Sequence, residues 1–124
     1  MRFIVPAALL VVAAIHLLPL VGVISGPRVA GLYGIVVQDP NLEIILRHRA
    51  VLFGLLGAFL AYAAFQPQLR SLALAAGAVS IAAFLILAFS VGGYNSAIAT
   101  IVKADILAAV ALAIGAAVHL RSAA

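Results

Sequence analysis

An all-α, four-helix transmembrane bundle with both termini on the same side is the fold that three observations predict. Of 124 residues, 68% are hydrophobic and the mean hydropathy is +1.35, against roughly 45–50% apolar residues in a soluble domain. Four apolar runs, at about 3–24, 44–65, 69–91 and 97–120, each reach the roughly 20 residues that cross a hydrocarbon core. The connections are short, so residues 1–124 make one integral-membrane domain with no chain left for a soluble one.

The first run opens like a signal peptide, with Arg2, an apolar stretch and small residues near Ser25. Its length suits a spanning segment, and it reads as a retained first helix. Within it, Pro19 lacks an N–H and frees the Ile15 carbonyl, a kink that offers His16 a polar partner. The connection 25–41 is the one long link. Its SGPR and QDPN ends are turn-forming, and its middle, AGLYGIVV, suits a short interfacial helix or a re-entrant segment with Tyr33 at headgroup level. Asp39 or Asn41 caps the second helix. In the turn VGGYNSA, Asn95 or Ser96 caps the fourth. Beyond its first turn, the third helix carries only Ser80 and Ser90 as polar residues and reads as scaffold.

Charge is sparse: seven Lys/Arg and three Asp/Glu, net +4. The basic residues lie at helix ends, as expected at membrane interfaces, and form no stripe for nucleic acid. Cysteine is absent, which excludes disulfides and thiolate chemistry. Arg2, Arg70 and Arg121 fall on the side of the termini, and Arg28, Arg47, Arg49 and Lys103 on the other. Discounting those within or at the edges of spans, the charge bias places the termini in the cytoplasm.

Asp39, Glu43, Arg47 and Arg49 concentrate charge at the start of the second helix, and ionisable groups at a membrane boundary point to a site. Glu43, Arg47, Ala50, Gly54 and Ala58 follow i+3/i+4 steps, and small residues let helices approach closely. Glu43 and Arg47 are therefore expected inside, paired with each other. Arg49 shares its face with Phe53, Leu56 and Leu60 and is expected to face lipid, snorkelling to the headgroups. His48 lies between the two faces. On the fourth helix, Asp105, Ala109, Ala113 and Ala117 form a small-residue stripe that puts Asp105 inside, while Lys103 marks the membrane edge. His16 lies eight residues before Ile24, about 12 Å in, and Asp105 is similarly deep. Tyr94 and Asn95 lie in the turn above, so the polar residues converge at one end. His119, at the other end, is interfacial.

Two readings stand for Glu43, Arg47 and Asp105: a structural ion-pair network, or a polar pocket for a ligand headgroup or reacting group. His16 is equally a satisfied core histidine or a catalytic acid/base. His48 reads as interfacial. Haem ligation by His16 and His48 is open but lacks an attachment motif. Glu43 and His48 miss the Glu-x-x-His metal spacing, and no phosphate-cradling motif occurs. No cofactor or metal is expected.

Several strings taken together, IHLLPL, LYGI, DPNL, LRHRAVLFGLLG and GGYN, resemble a family of small four-helix bacterial inner-membrane proteins without an agreed function. The resemblance covers nearly the whole chain and implies the architecture and an inner-membrane location. Proteins of this kind sometimes carry the label phosphopantetheine adenylyltransferase. That enzyme resembles a soluble α/β domain with a His-x-Gly-His string, which this chain lacks, so the label is not supported.

The expected function is a membrane-embedded pocket for a lipophilic small molecule or lipid, with acid/base chemistry such as isomerisation or hydration by His16 and Asp105. Arg47, oriented by Glu43, would hold an anionic or carbonyl group, with His48 beside the site and Tyr94 and Asn95 at its mouth. The alternatives are a small dimeric transporter or channel, and an accessory subunit of a larger membrane complex. Small-residue faces predict self-association into a homo-oligomer.

Overall fold

The computed structural model describes residues 2–123. Four helical spans, Ile4–Val23, Pro40–Ala64, Pro67–Val91 and Ser96–Ser122, are long and apolar enough to cross a membrane, as an integral membrane protein requires. No strand occurs among the described residues. An even number of spans returns both termini to one side.

The first span is not one continuous α-helix. Helix α1 runs Ile4–Leu17 and continues as a 3₁₀ segment, Leu18–Val23. Pro19 sits near the start of the tighter segment, where its missing N–H cannot complete α-helical bonding. A short helix, α2 (Gly26–Tyr33), follows. Ser25 caps it by accepting from the Arg28 N–H. Gly34, at φ 64°, closes it in the left-handed region, which a residue without Cβ adopts most readily. The middle of the long connection is thus a helix, not a re-entrant loop.

Helix α3 spans Pro40–Ala64, beginning four residues before the apolar run of the sequence. The cap explains this: Asp39 accepts from the Asn41 N–H at 2.9 Å, and Pro40 is preorganised for the first turn. A 3₁₀ turn at Pro67–Leu69 leads to α4, Arg70–Val91. Gly92 and Gly93, both with positive φ, turn the chain into α5, Ser96–Ala123.

The spans close into a ring in the order α1, α3, α4, α5, and α1 packs most extensively on α3 and α5. Lipid tails are as apolar as leucine, so close packing rather than exclusion from water joins the helices. The core is correspondingly built from Leu9 and Val12, Leu60 and Ala63, Ala73 and Ile81, and Ala108 and Leu112. At Gly57 a Cβ would lie 2.8 Å from Leu17 Cγ and 3.1 Å from the Ala13 carbonyl, so α1 and α3 meet almost backbone to backbone.

Two expected helix faces are displaced. Ala58, Ala113 and Ala117 are exposed, although each lies on a small-residue stripe predicted to be interior. Successive i+4 steps advance about 40° beyond a full turn, so the stripe from Asp105 to Ala117 winds off the interior. The buried row on α5 is instead Val102, Asp105, Ala108, Leu112 and Gly115. On α3, Ala50 and Gly54 of the Glu43–Arg47 row are buried as expected, but the row holding Arg49, Phe53 and Leu56 is half-buried and ends at fully buried Leu60, with Arg49 and Phe53 lining an internal cavity. The lipid-facing assignment of Arg49 is therefore corrected.

Candidate functional site

The four spans and α2 surround a cavity of about 290 Å³. Ile15 and His16 come from α1, Pro19 from the 3₁₀ segment, Tyr33 from α2, Arg49 and Phe53 from α3, Phe84 from α4, and Thr100 and Asp105 from α5. Most of the wall is apolar. Leu18 and Thr100, both exposed, form part of the rim.

His16 is 2% exposed. Its Nδ1 lies 2.9 Å from the Val12 carbonyl and its Nε2 lies 2.8 Å from Ser80 Oγ. A carbonyl only accepts, so Nδ1 carries a proton and donates. In the neutral ring, Nε2 then accepts from the Ser80 hydroxyl. The ring also stacks on Phe53 at 5.5 Å. His16 is fully satisfied, and Ser80 of the presumed scaffold helix is its partner. The carbonyl that serves it is that of Val12, one turn before, and not the one freed by Pro19.

Arg49 projects into the same cavity. Its guanidinium lies over the Phe53 ring at 4.3 Å and the Tyr33 ring at 5.1 Å, favourable cation–π geometry. It also donates from Nη1 to the Tyr33 hydroxyl. Burial pushes the Tyr33 phenol above its ordinary pKa, against the opposing pull of Arg49, so the hydroxyl stays protonated at neutral pH.

Asp105 is 8% exposed and lines the cavity, yet no hydrogen bond or salt bridge to it occurs among the described residues. The chain's other two acids are engaged: Asp39 caps α3 and Glu43 pairs with Arg47 at 3.5 Å. Asp105 is thus the single acid without a partner. Leaving an ionised group buried and unpaired is costly, so the arrangement suits a site completed from outside.

Of the residues expected at the site, His16 and Asp105 line this cavity and the others do not. Arg47 and Glu43 lie outside the cavity. Arg47 donates to the Val23 and Ile24 carbonyls at 3.0 and 3.2 Å, fastening α3 to the end of the first span. Glu43 orients it and packs against Gly26, where any Cβ would collide with the carboxylate. This pair has the structural geometry. His48 is exposed and does not line the cavity, so it does not join His16 around one group. Tyr94 is exposed in the turn. Asn95 bridges: its Oδ1 accepts from the Ile98 N–H at 2.8 Å, capping α5, and its Nδ2 donates to the Tyr33 and Gly34 carbonyls at 3.0 Å each. It holds α2 over the cavity.

Arg49, Tyr33 and Ser80 are the site residues that sequence reasoning missed. The signal for Arg49 was its i+4 spacing to Phe53, on a row that ends at buried Leu60. Among the described residues no cluster of three metal-ligating side chains occurs. No protein-family model, curated protein or solved structure matches the chain.

Proposed function

We propose that this integral membrane protein binds the polar end of a lipophilic small molecule or lipid in the cavity between Arg49 and Asp105. One observation carries the reading: a buried carboxylate without a protein partner shares an otherwise apolar cavity with a guanidinium that has donors to spare. Intramembrane ionisable residues mark ligand or ion sites by default, and a mostly apolar pocket with a few convergent polar groups is the usual form of a small-molecule site.

Binding is favoured over acid/base chemistry because both His16 nitrogens are already bonded. His16 stiffens the wall through Ser80 and Phe53. A continuous path across the membrane finds no support: below the cavity, Leu9, Val12, Leu60, Ile81 and Leu112 belong to one apolar core. The same proposal includes membership in the family of small four-helix inner-membrane proteins, cytoplasmic termini and a homo-oligomeric state.

The test is native mass spectrometry and lipid extraction of protein purified in mild detergent. Wild type and Arg47→Ala should retain a bound amphiphile that Arg49→Gln and Asp105→Asn lose. Equal retention by all four proteins would refute the site.

A further inference from the structure

The cavity presents one cation and one anion, and the two do not form a salt bridge. Arg49 commits Nη1 to Tyr33, and among the described residues no acceptor takes its remaining N–H groups. Asp105 receives no donor from the described residues. An occupant carrying only an anion would pair Arg49 and leave the buried Asp105 uncompensated. A cationic occupant would pair Asp105 and leave Arg49 unanswered. A neutral alcohol or ester would reach both through hydrogen bonds but leave the two charges to attract each other only across the cavity, without a direct ion pair for either.

Resting on the reading that the cavity binds an amphiphile, we propose that its ligand has a zwitterionic head, with a phosphate-type anion on Arg49 and a primary amine on Asp105. A guanidinium matches a phosphate's oxygens with paired N–H donors. A carboxylate accepts from an ammonium's N–H groups. The aromatic faces of Phe53 and Tyr33 are already occupied by Arg49, which leaves Asp105 as the receptor for the amine. The alkyl part of such a molecule leaves past Leu18, an apolar rim residue that is 65% exposed on a membrane span. An amino-phospholipid or its single-chain form has this chemistry, and so does the chainless head group. The exposed apolar rim favours the chain-bearing form.

The experiment is titration of delipidated protein in neutral detergent, read by native mass spectrometry. The four probes of matched chain length are a single-chain phosphoethanolamine lipid, a single-chain phosphatidic acid, an alkyl amine and a monoacylglycerol. Glycerophosphoethanolamine, which has no chain, is the fifth. Wild type should prefer the zwitterionic lipid by about tenfold or more over each other probe. Asp105→Asn should erase its advantage over the phosphatidic acid, and Arg49→Gln its advantage over the amine. If the monoacylglycerol binds wild type as well as the zwitterion does, with both still sensitive to Arg49→Gln, the charge inference fails and the binding site stands. If the chainless head group matches the lipid, the assignment to an amphiphile fails. If no probe depends on Arg49 or Asp105, although both variants keep wild-type circular dichroism and still unfold cooperatively, the site itself fails.

Discussion

Asp105 and Arg49 line one cavity from opposite sides of the helix ring, on α5 and α3, without forming a salt bridge. Each is held by its own helix, and α3 and α5 do not pack on one another. The unpaired state is therefore a property of the packed bundle, and its energetic cost can be measured.

Replacing Asp105 by Asn should make the delipidated protein more stable, by about 1 kcal/mol, because an unpaired buried charge is exchanged for a neutral amide. Arg49→Gln should lower stability by about 1–2 kcal/mol through loss of the Tyr33 bond and the ring contacts. Thermal unfolding in detergent reads both. A fall in midpoint for Asp105→Asn would mean that the carboxylate has a stabilising partner in the ligand-free protein.

Gly57→Ala should separate α1 from α3, since the new methyl meets the backbone carbonyl of Ala13 and the side chain of Leu17. A cost of about 1–3 kcal/mol is expected for such overpacking. Gly31→Ala in α2 has nothing within 4 Å of the added atom and should be neutral or stabilising by a few tenths to about 1 kcal/mol. Denaturation of the two variants side by side tests whether close approach, not glycine content, governs the bundle.

Asn95 does two things that one pair of variants separates. Asn95→Asp keeps an oxygen to cap the Ile98 N–H but cannot donate to Tyr33 and Gly34. Asn95→Ala loses both, and the cap alone is worth about 1 kcal/mol. Hydrogen exchange over residues 26–34 should quicken in both variants. Exchange in the first turn of α5 should quicken only in the alanine variant.

Tyr33 should contribute a late component, above pH 10.0, to an alkaline absorbance titration, because burial raises its pKa. Tyr33→Phe should delete that late component. The sign for stability follows: with the folded value above the unfolded one, the contribution is complete below pH 10.0 and falls away as pH rises through the folded value. A Tyr33 component that titrates below pH 10.0 would place Arg49 as the stronger influence.

The architecture was legible because hydropathy is a sum over many residues, and one misread position does not move a span. Caps were legible too: Asp39 and Asn95 act as their short polar side chains predict. The site was harder because it depends on angles between helices. Arg47 and Arg49 are two residues apart on α3, so they point about 200° from one another. Choosing the one that faces the cavity required knowing which small residues the neighbouring helix touches. Gly54 and Ala50 argued for Arg47, and the chain uses that face to meet the end of the first span. Arg49 faces the ring interior through Phe53 and Leu60. Ser80 was silent in sequence because a lone serine on an apolar helix gains meaning only from a partner 64 residues away.

The 3₁₀ segment after α1 has a consequence for how an alkyl chain would travel. Three residues per turn stack every third side chain into a straight row, where an α-helix would spiral them away. Leu18, Val21 and Ile24 form such a row, 65%, 46% and 66% exposed, and the Ile24 N–H still bonds to the Val21 carbonyl. The opposite row runs through Gly22, whose missing side chain admits Val29 of α2. The outward row is a greasy track along the membrane-facing edge of the protein, ending at the rim of the cavity, and it exists because Pro19 forbids the regular helix there.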